Sequence, residues 1–356
     1  MASSLVSVIV PVYKDEQFLE NCLESIVKQT YENLEVLCVN FGASEKCADI
    51  LSDYAHKYKN IQVFTLKEGG KATAKNLGLK KAKGDLVFFL DADDKIDKIC
   101  IEELVKTQTR TNADVVCVHD IVICEGKKKT AKDRMISGHS EGTFQITNEI
   151  VNQMWVVAWG KLFKIKPIRD LELSFPEGCL YEDEFFHYAL LPHLRKIAVS
   201  DGGTVFYRQH ENSVVARQKL KSGKDNLLIF QKIFEYYQEN GFLGKIDLPV
   251  RILSAGFAQN ANHKLYYQQV KDLLCHLGVS KEMVNHHELV GKLLESDDFL
   301  SYCRCATCYK IKQSLQNLRQ SWFRCQVGKK THIALFGLTL LHLAKGEKTV
   351  ILGWKL

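Results

Sequence analysis

Gly84-Asp85-Leu86-Val87-Phe88-Phe89-Leu90-Asp91-Ala92-Asp93-Asp94 is the stretch on which the fold turns. No charge interrupts it between Asp85 and Asp91, so it reads as a buried strand of a parallel sheet. It then ends in three carboxylates within four residues. Carboxylates are costly to bury unless they meet a cation, so the cluster points to a divalent-metal site. The carboxyl ends of strands are also where open α/β sheets bind ligands. Taken alone, Asp91-x-Asp93 reads equally well as a turn or a helix cap, and the flanking chain has to decide.

Working outward, Leu5 to Val12 is a short β-branched run that predicts a central strand, with Pro11 near its end rather than its middle. Asp15 to Gln29 sets Phe18, Leu19, Cys22, Leu23, Ile26 and Val27 at helical spacing. Leu34 to Val39 predicts a second strand, Ala48 to Tyr58 a helix, Ile61 to Leu66 a third strand and Ala72 to Ala82 a third helix. Strand–helix alternation of this kind implies a doubly wound, mostly parallel α/β sheet with right-handed crossovers. The pattern suits a nucleotide-like ligand and leaves the chemistry open.

These residues resemble a family. Ser7-Val8-Ile9-Val10-Pro11-Val12-Tyr13 with Leu34-Glu35-Val36-Leu37-Cys38-Val39 is similar to the opening of the family 2 glycosyltransferases of GT-A fold. The resemblance continues through Ala74-Lys75-Asn76-Leu77-Gly78 and Lys83-Gly84-Asp85 into Asp91-Ala92-Asp93-Asp94. It resumes at Ala158-Trp159-Gly160-Lys161-Leu162-Phe163, at Phe175-Pro176-Glu177-Gly178, at Tyr181-Glu182-Asp183-Glu184 and at Tyr207-Arg208-Gln209-His210-Glu211-Asn212-Ser213. The signatures run in order over roughly residues 5 to 215.

The resemblance implies a nucleotide-sugar donor, a UDP-sugar first, and a Mn²⁺ or Mg²⁺ ion facing its departing diphosphate. It implies that Asp91 and Asp93 form the metal-binding motif, with Asp93 the direct ligand and Asp91 nearer the ribose. His210 would complete the metal site or touch the diphosphate, since imidazole suits Mn²⁺. Asp94 would orient the turn. Pro11, Val12 and Tyr13 would line the nucleoside pocket with Ala92, a strand-end packing residue being the alternative for Tyr13. Lys75 stands where many relatives carry Arg and would contact the donor as a point charge. Its alternative is a solvated helix residue. Asp183 is the implied catalytic base of an inverting displacement, with Glu182 on the acceptor. The same acids also read as a helix start favoured by the macrodipole, and the two readings are compatible. Trp159 and Lys161 would flank the acceptor and the donor sugar, an indole being able to stack on a sugar face; a core Trp beside a paired Lys is the alternative.

One stretch departs from the pattern. Relatives place acids and a Gly-Ser turn after the second strand, whereas this chain reads Asn40-Phe41-Gly42-Ala43-Ser44-Glu45. Asn40 still offers a donor and an acceptor. Phe41 offers only stacking, which leaves altered base recognition, a nucleotide other than UDP, or weaker donor binding.

The chain has 356 residues, enough for one large domain and an appended part. The expected divisions are a catalytic domain over 1–220, a helical segment over 221–300 and a basic, aromatic tail over 301–356. Within the second, Asn226 to Tyr237, Arg251 to Val270, Lys271 to Leu277 and Glu288 to Leu294 look helical. Twelve cysteines without a secretory signal are expected to be reduced cytosolic thiols. Cys303, Cys305 and Cys308 have irregular spacing for a zinc cluster.

From Lys310 onward nine basic residues face one acid, Glu347, a local excess of +8 against +6 for the whole chain. The apolar run from Ile333 to Leu341 is too short to span a bilayer. Cations interleaved with Trp322, Phe323 and Trp354 suit an anionic membrane surface, each adding about 1 kcal/mol. Nucleic acid is a second reading of a basic tail, with no motif to support it, and a strand pair packed in the core or at a subunit contact is a third. The resemblance implies an inverting enzyme passing sugar to a glycan or lipid-linked acceptor in bacterial lipopolysaccharide or capsule synthesis, and the basic tail adds the expectation of a cytoplasmic place at the inner face of the membrane. The competing reading is a non-catalytic GT-A-like scaffold at the membrane.

Overall fold

A computed structural model describes residues 4–125, 128–210, 223–254, 263–284, 286–296, 298–299, 302, 331–335 and 338–343. Cys303, Cys305 and Cys308, whose spacing is irregular for a zinc cluster, and Trp322, Phe323 and Trp354 of the tail lie outside these residues. The chain divides into two compact units, 1–286 and 287–356.

The first half alternates as its periodicity predicts. Strands β1 (Val6–Val12), β2 (Leu34–Asn40), β3 (Ile61–Thr65) and β4 (Leu86–Phe89) are separated by helices α1 (Leu19–Val27), α2 (Glu45–Lys57) and α3 (Lys71–Lys81). Every residue of β1, β2 and β4 is buried, which is why these runs show no polar alternation. Ser44 caps α2, its side chain accepting from the Cys47 N–H. Gly78 lets α3 lie close on β1, for a Cβ there would sit 2.5 Å from Cγ2 of Ile9. Glu35 pins the start of β4 from inside: it accepts from the Ser7 hydroxyl at 2.6 Å and the Gly84 N–H at 3.1 Å.

After β4 come β5 (Lys95–Ile96), α4 (Cys100–Thr111), β6 (Val115–Cys117), β7 (Asp120–Glu125), β8 (Lys128–Asp133) and β9 (Gly142–Gln145). They are followed by α5 (Asn148–Gln153), β10 (Lys161–Lys164), α6 (Ile165–Asp170), α7 (Glu182–Leu190), β11 (Lys196–Val199) and β12 (Thr204–Gln209). The main sheet has the order β3-β2-β1-β4-β10-β6-β11-β9. Strands β1 to β4 pair in parallel, and β10 enters antiparallel between β4 and β6. This is the expected α/β sheet flanked by helices. A second sheet, β5-β12-β7-β8, was not legible beforehand because β12 joins the β7–β8 hairpin and β5 from far along the chain.

The appended helices are α8 (Gly223–Glu239) and α9 (His263–His276). Helix α8 packs on α7, with the Phe185 and Tyr236 rings 5.9 Å apart edge to face. The long helix expected over Arg251 to Val270 is described as a helical turn at 251–254 and as α9, which also takes in most of the helix expected at Lys271 to Leu277. In the second unit, α10 (Glu288–Glu295) precedes β13 (Thr331–Leu335) and β14 (Leu338–Leu343), which pair antiparallel. The described part of the tail from Thr331 on is thus a strand pair. Among the described residues no helix is long and apolar enough to cross a membrane. Cys22, Cys38, Cys47, Cys100 and Cys117 are buried free thiols.

Candidate active site

The carboxyl ends of the parallel strands β1, β2 and β4 lie at the same end of the sheet. Pro11 and Val12 end β1 as buried strand residues, and Tyr13 follows at 38% exposure. Its ring stacks on Phe41, with centroids 5.2 Å apart and planes 16° from parallel. Phe41 therefore has an aromatic partner within the chain. Asn40 serves the backbone: its Oδ1 accepts from the Gly42 and Ala43 N–H groups at 3.1 and 2.8 Å. Those contacts hold the tight turn that replaces the acidic one of the resembling family.

Beyond β4, Asp91, Asp93 and Asp94 each present a carboxylate oxygen within 4.8 Å of the others. Ala92 between them is buried. Asp94 is 1% exposed; one oxygen accepts from the Arg208 N–H at 2.7 Å, and the other is buried without a partner. Burial, then the neighbouring Asp93 and Asp91, hold its pKa well above the carboxylate range. His210 follows β12 and lies 3.0 Å from Asp93, Nε2 to Oδ2. The oxygens, the imidazole and the orphaned Asp94 oxygen fit a hard divalent cation.

Two further groups at this site were missed in the sequence. Lys71, first residue of α3, donates to Asp91 at 2.6 Å. Asp15 follows β1 and accepts from the Tyr13 N–H at 3.2 Å. Burial and then the Asp93 charge raise its pKa to about 6. A cation after the Gly69-Gly70 pair and an acid just past a core strand were the available signals.

The second cluster stands at the N-terminus of α7, where Glu182, Asp183 and Glu184 fill the first turn. Lys75 is 1% exposed, not a solvated helix residue. Its ammonium donates to Glu182 at 2.9 Å and to the Asp183 carboxylate. It also lies 4.9 Å from the Phe175 ring centroid. Lys71 and Lys75 are one helical turn apart, so α3 offers one ammonium to the Asp91 end and another to the Asp183 end. Asp183 also accepts from the Ala158 N–H at 3.2 Å. Burial works to raise its pKa, but Lys75, Lys71 and these hydrogen bonds outweigh burial and lower it. Asp183 is therefore a carboxylate at neutral pH.

Trp159 is 4% exposed and stacks on Tyr207 at 5.2 Å. Lys161, expected beside the two sugars, is 1% exposed and points inward, donating to the Trp155 and Val157 carbonyls at 2.5 and 2.7 Å. Burial lowers its pKa to about 8. It fixes the 155–158 loop whose Ala158 N–H holds Asp183. Behind α7, Arg251 joins Glu184 at 3.2 Å and the Tyr188 hydroxyl at 2.7 Å, tying the 251–254 turn to that helix.

Residues 7–166 match the glycosyl transferase family 2 profile. The chain is similar to the uncharacterized glycosyltransferase EpsJ of Bacillus subtilis (strain 168), 28% identical over 264 residues, 70% of this chain and 74% of EpsJ. It is also similar to the poly(ribitol-phosphate) beta-glucosyltransferase of Bacillus spizizenii, 29% identical over 212 residues, 57% of this chain and 32% of that protein. In fold it is similar to S. aureus TarS 1-349 solved in complex with UDP, at TM-score 0.63 and 19% identity, over 97% of this chain and 98% of that one. TarS 1-349 has also been solved with UDP-GlcNAc, where the TM-score is 0.61 at 20% identity, over 98% and 99%.

Proposed function

We propose that this chain, a family 2 glycosyltransferase of GT-A fold, moves a hexose or N-acetylhexosamine from a UDP-sugar to a hydroxyl of a bacterial surface glycan, with inversion at the anomeric carbon. The observation that carries the reading is the pair of α3 lysines, which hold a carboxylate cluster at the β4 end and the Asp183 carboxylate at the α7 end. An inverting displacement needs those two poles, a base for the acceptor and charge compensation for the leaving group. The UDP and UDP-GlcNAc complexes of the TarS fold neighbour support the donor, and the named activity of the Bacillus spizizenii relative supports a surface-glycan acceptor such as a teichoic acid. Lipopolysaccharide and capsule remain within the same acceptor class.

In this mechanism Asp183 removes the proton of the acceptor hydroxyl as that oxygen attacks the anomeric carbon. The bond from that carbon to the diphosphate oxygen breaks, and the nucleoside diphosphate leaves with the electron pair. Lys75 and the Ala158 N–H keep Asp183 ionised and aimed. Glu182 meets the acceptor, and the Tyr13–Phe41 pair takes the base by stacking, beside the Pro11, Val12 and Asn40 strand ends. Asp93 and Asp91 with His210 would hold Mn²⁺ or Mg²⁺, which when bound offsets the charge of the departing diphosphate. Trp159 and Lys161 shape the acceptor loop from beneath. The basic tail supports a peripheral position on the anionic inner face of the cell membrane.

The test is nucleotide release from UDP-, GDP-, CDP- and dTDP-sugars with Mn²⁺, Mg²⁺ or EDTA, alongside binding of each nucleotide. Metal-dependent release from one donor, lost in Asp183→Asn while binding persists, is the expected result. No release and no binding of any nucleotide would return the chain to the scaffold class.

A further inference from the structure

The small sheet carries a face that the reaction does not use. Across it, Lys95, Phe206, Val122 and Lys132 pair in one row, and Arg208, Cys124 and Lys129 in the next. Paired residues point to the same side, so Lys95, Lys129, Lys132 and Arg208 share one surface. Two of these cations flank one ring: the ammonium groups of Lys95 and Lys129 stand 4.9 and 5.1 Å from the Phe206 centroid. Asp120 also faces this side, and it is 8% exposed and already paired with Lys132 and Arg134. The surface is also continuous with the candidate site. Arg208 lies 4.2 Å over the Phe18 ring, Phe18 meets His210 at 5.0 Å, and His210 meets Asp93.

We propose that this face binds a phosphodiester-bearing, polyanionic stretch of the acceptor chain and leads its end to the site. The inference rests on the reading of the chain as a glycosyltransferase with a glycan acceptor. Clustered like charges gain little from one another, and they attract a polyanion strongly by releasing its condensed counterions. An aromatic ring between two ammonium groups gives the polyol backbone an apolar surface to lie on, while the cations meet its phosphates. A neutral glycan would use neither cation.

The experiment measures binding of a fluorescent glycerol-phosphate oligomer to the full chain by anisotropy over a series of salt concentrations. Dextran of similar length and phosphatidylglycerol vesicles run in parallel. Lys95→Gln/Lys129→Gln should weaken oligomer binding by about tenfold or more and lower the log–log salt slope by about two, one for each lysine. Nucleotide release from the donor, measured without acceptor, should be unchanged, because neither lysine touches the carboxylate clusters. Equal oligomer binding by both proteins would overturn the proposal. So would equal loss of dextran binding, or lysine-dependent binding of vesicles without binding of the oligomer. Failure of donor turnover in the parent protein would sink the enzyme reading by itself, since polymer binding is read separately.

Discussion

Lys75 and Asp183 stand 108 residues apart in the chain, and in the fold the ammonium of one donates directly to the carboxylate of the other. Lys75 is 1% exposed, and Glu182 lies 2.9 Å away on its other side. A helix residue that reads as a donor contact is therefore the counter-ion of the candidate base.

Removing that counter-ion has a sharp cost. Lys75→Met leaves two acids facing each other in a buried site, and breaking one partner of such a pair costs about 3–5 kcal/mol. Urea unfolding should register that loss. Among the molecules that remain folded, the acid limb of the pH–rate profile should move to higher pH, because the cation that lowers the Asp183 pKa is gone. Lys75→Arg should keep the limb nearly in place. An unmoved limb in the Met variant would detach Lys75 from the base.

Asp183→Asn preserves shape and the Ala158 contact on one oxygen while abolishing proton acceptance. Loss of a positioned base costs about 10²–10⁴-fold in rate. Transfer should fall by that amount with nucleotide affinity unchanged. A variant retaining more than about a tenth of the parent rate would require a different base.

Metal dependence is expected at the Asp93 cluster and not at the Asp183 cluster. Asp93→Ala and EDTA should each abolish metal-dependent nucleotide binding, and His210→Ala should weaken it, since His210 lies 3.0 Å from Asp93. Calorimetric titration of nucleotide with and without Mn²⁺ reads all three. Identical isotherms for parent and Asp93→Ala would remove the metal from the site.

Lys161 makes stability depend on pH in a defined direction. Its pKa falls from 10.5 to about 8 on burial, so between those values the unfolded chain holds the extra proton. Folding stability should therefore rise with pH from about 8 to about 10.5, by about 3 kcal/mol. Lys161→Met lacks the titration and should show a flatter profile over that window. Parallel profiles in urea unfolding at pH 7.5 to 10 would refute the assignment.

Gly78 tests the seating of α3, the helix that carries both lysines. A methyl group there would meet the Ile9 side chain at 2.5 Å, and relief requires either that buried side chain or α3 to shift. Gly78→Ala should cost about 1–3 kcal/mol despite the better helix propensity of alanine, and should reduce turnover as well. A stabilised variant would mean that the helix is free to shift.

The alternating strands and helices of the first ninety residues were legible because each is a local property. Continuous burial removes polar alternation from β1 and β4, and a one-sided stripe of Leu19, Cys22, Leu23 and Ile26 defines α1. The Asp91-Asp93-Asp94 group was legible because burial makes adjacent acids expensive without a cation. What the sequence could not yield was who meets whom. The antiparallel entry of β10 and the joining of β12 to β5 and β7 follow from pairings between distant segments, and the inward turn of Lys161 follows from the packing that buries it. The departure at Asn40-Phe41 looked like a lost ligand contact, and only folding brought Tyr13 against Phe41 and gave Asn40 its turn. Charge follows the same rule. The residue types that can act as base, cation and metal ligand are inherent in the chain, whereas the ionisation of Asp183 depends on the burial and counter-ions that only tertiary packing supplies.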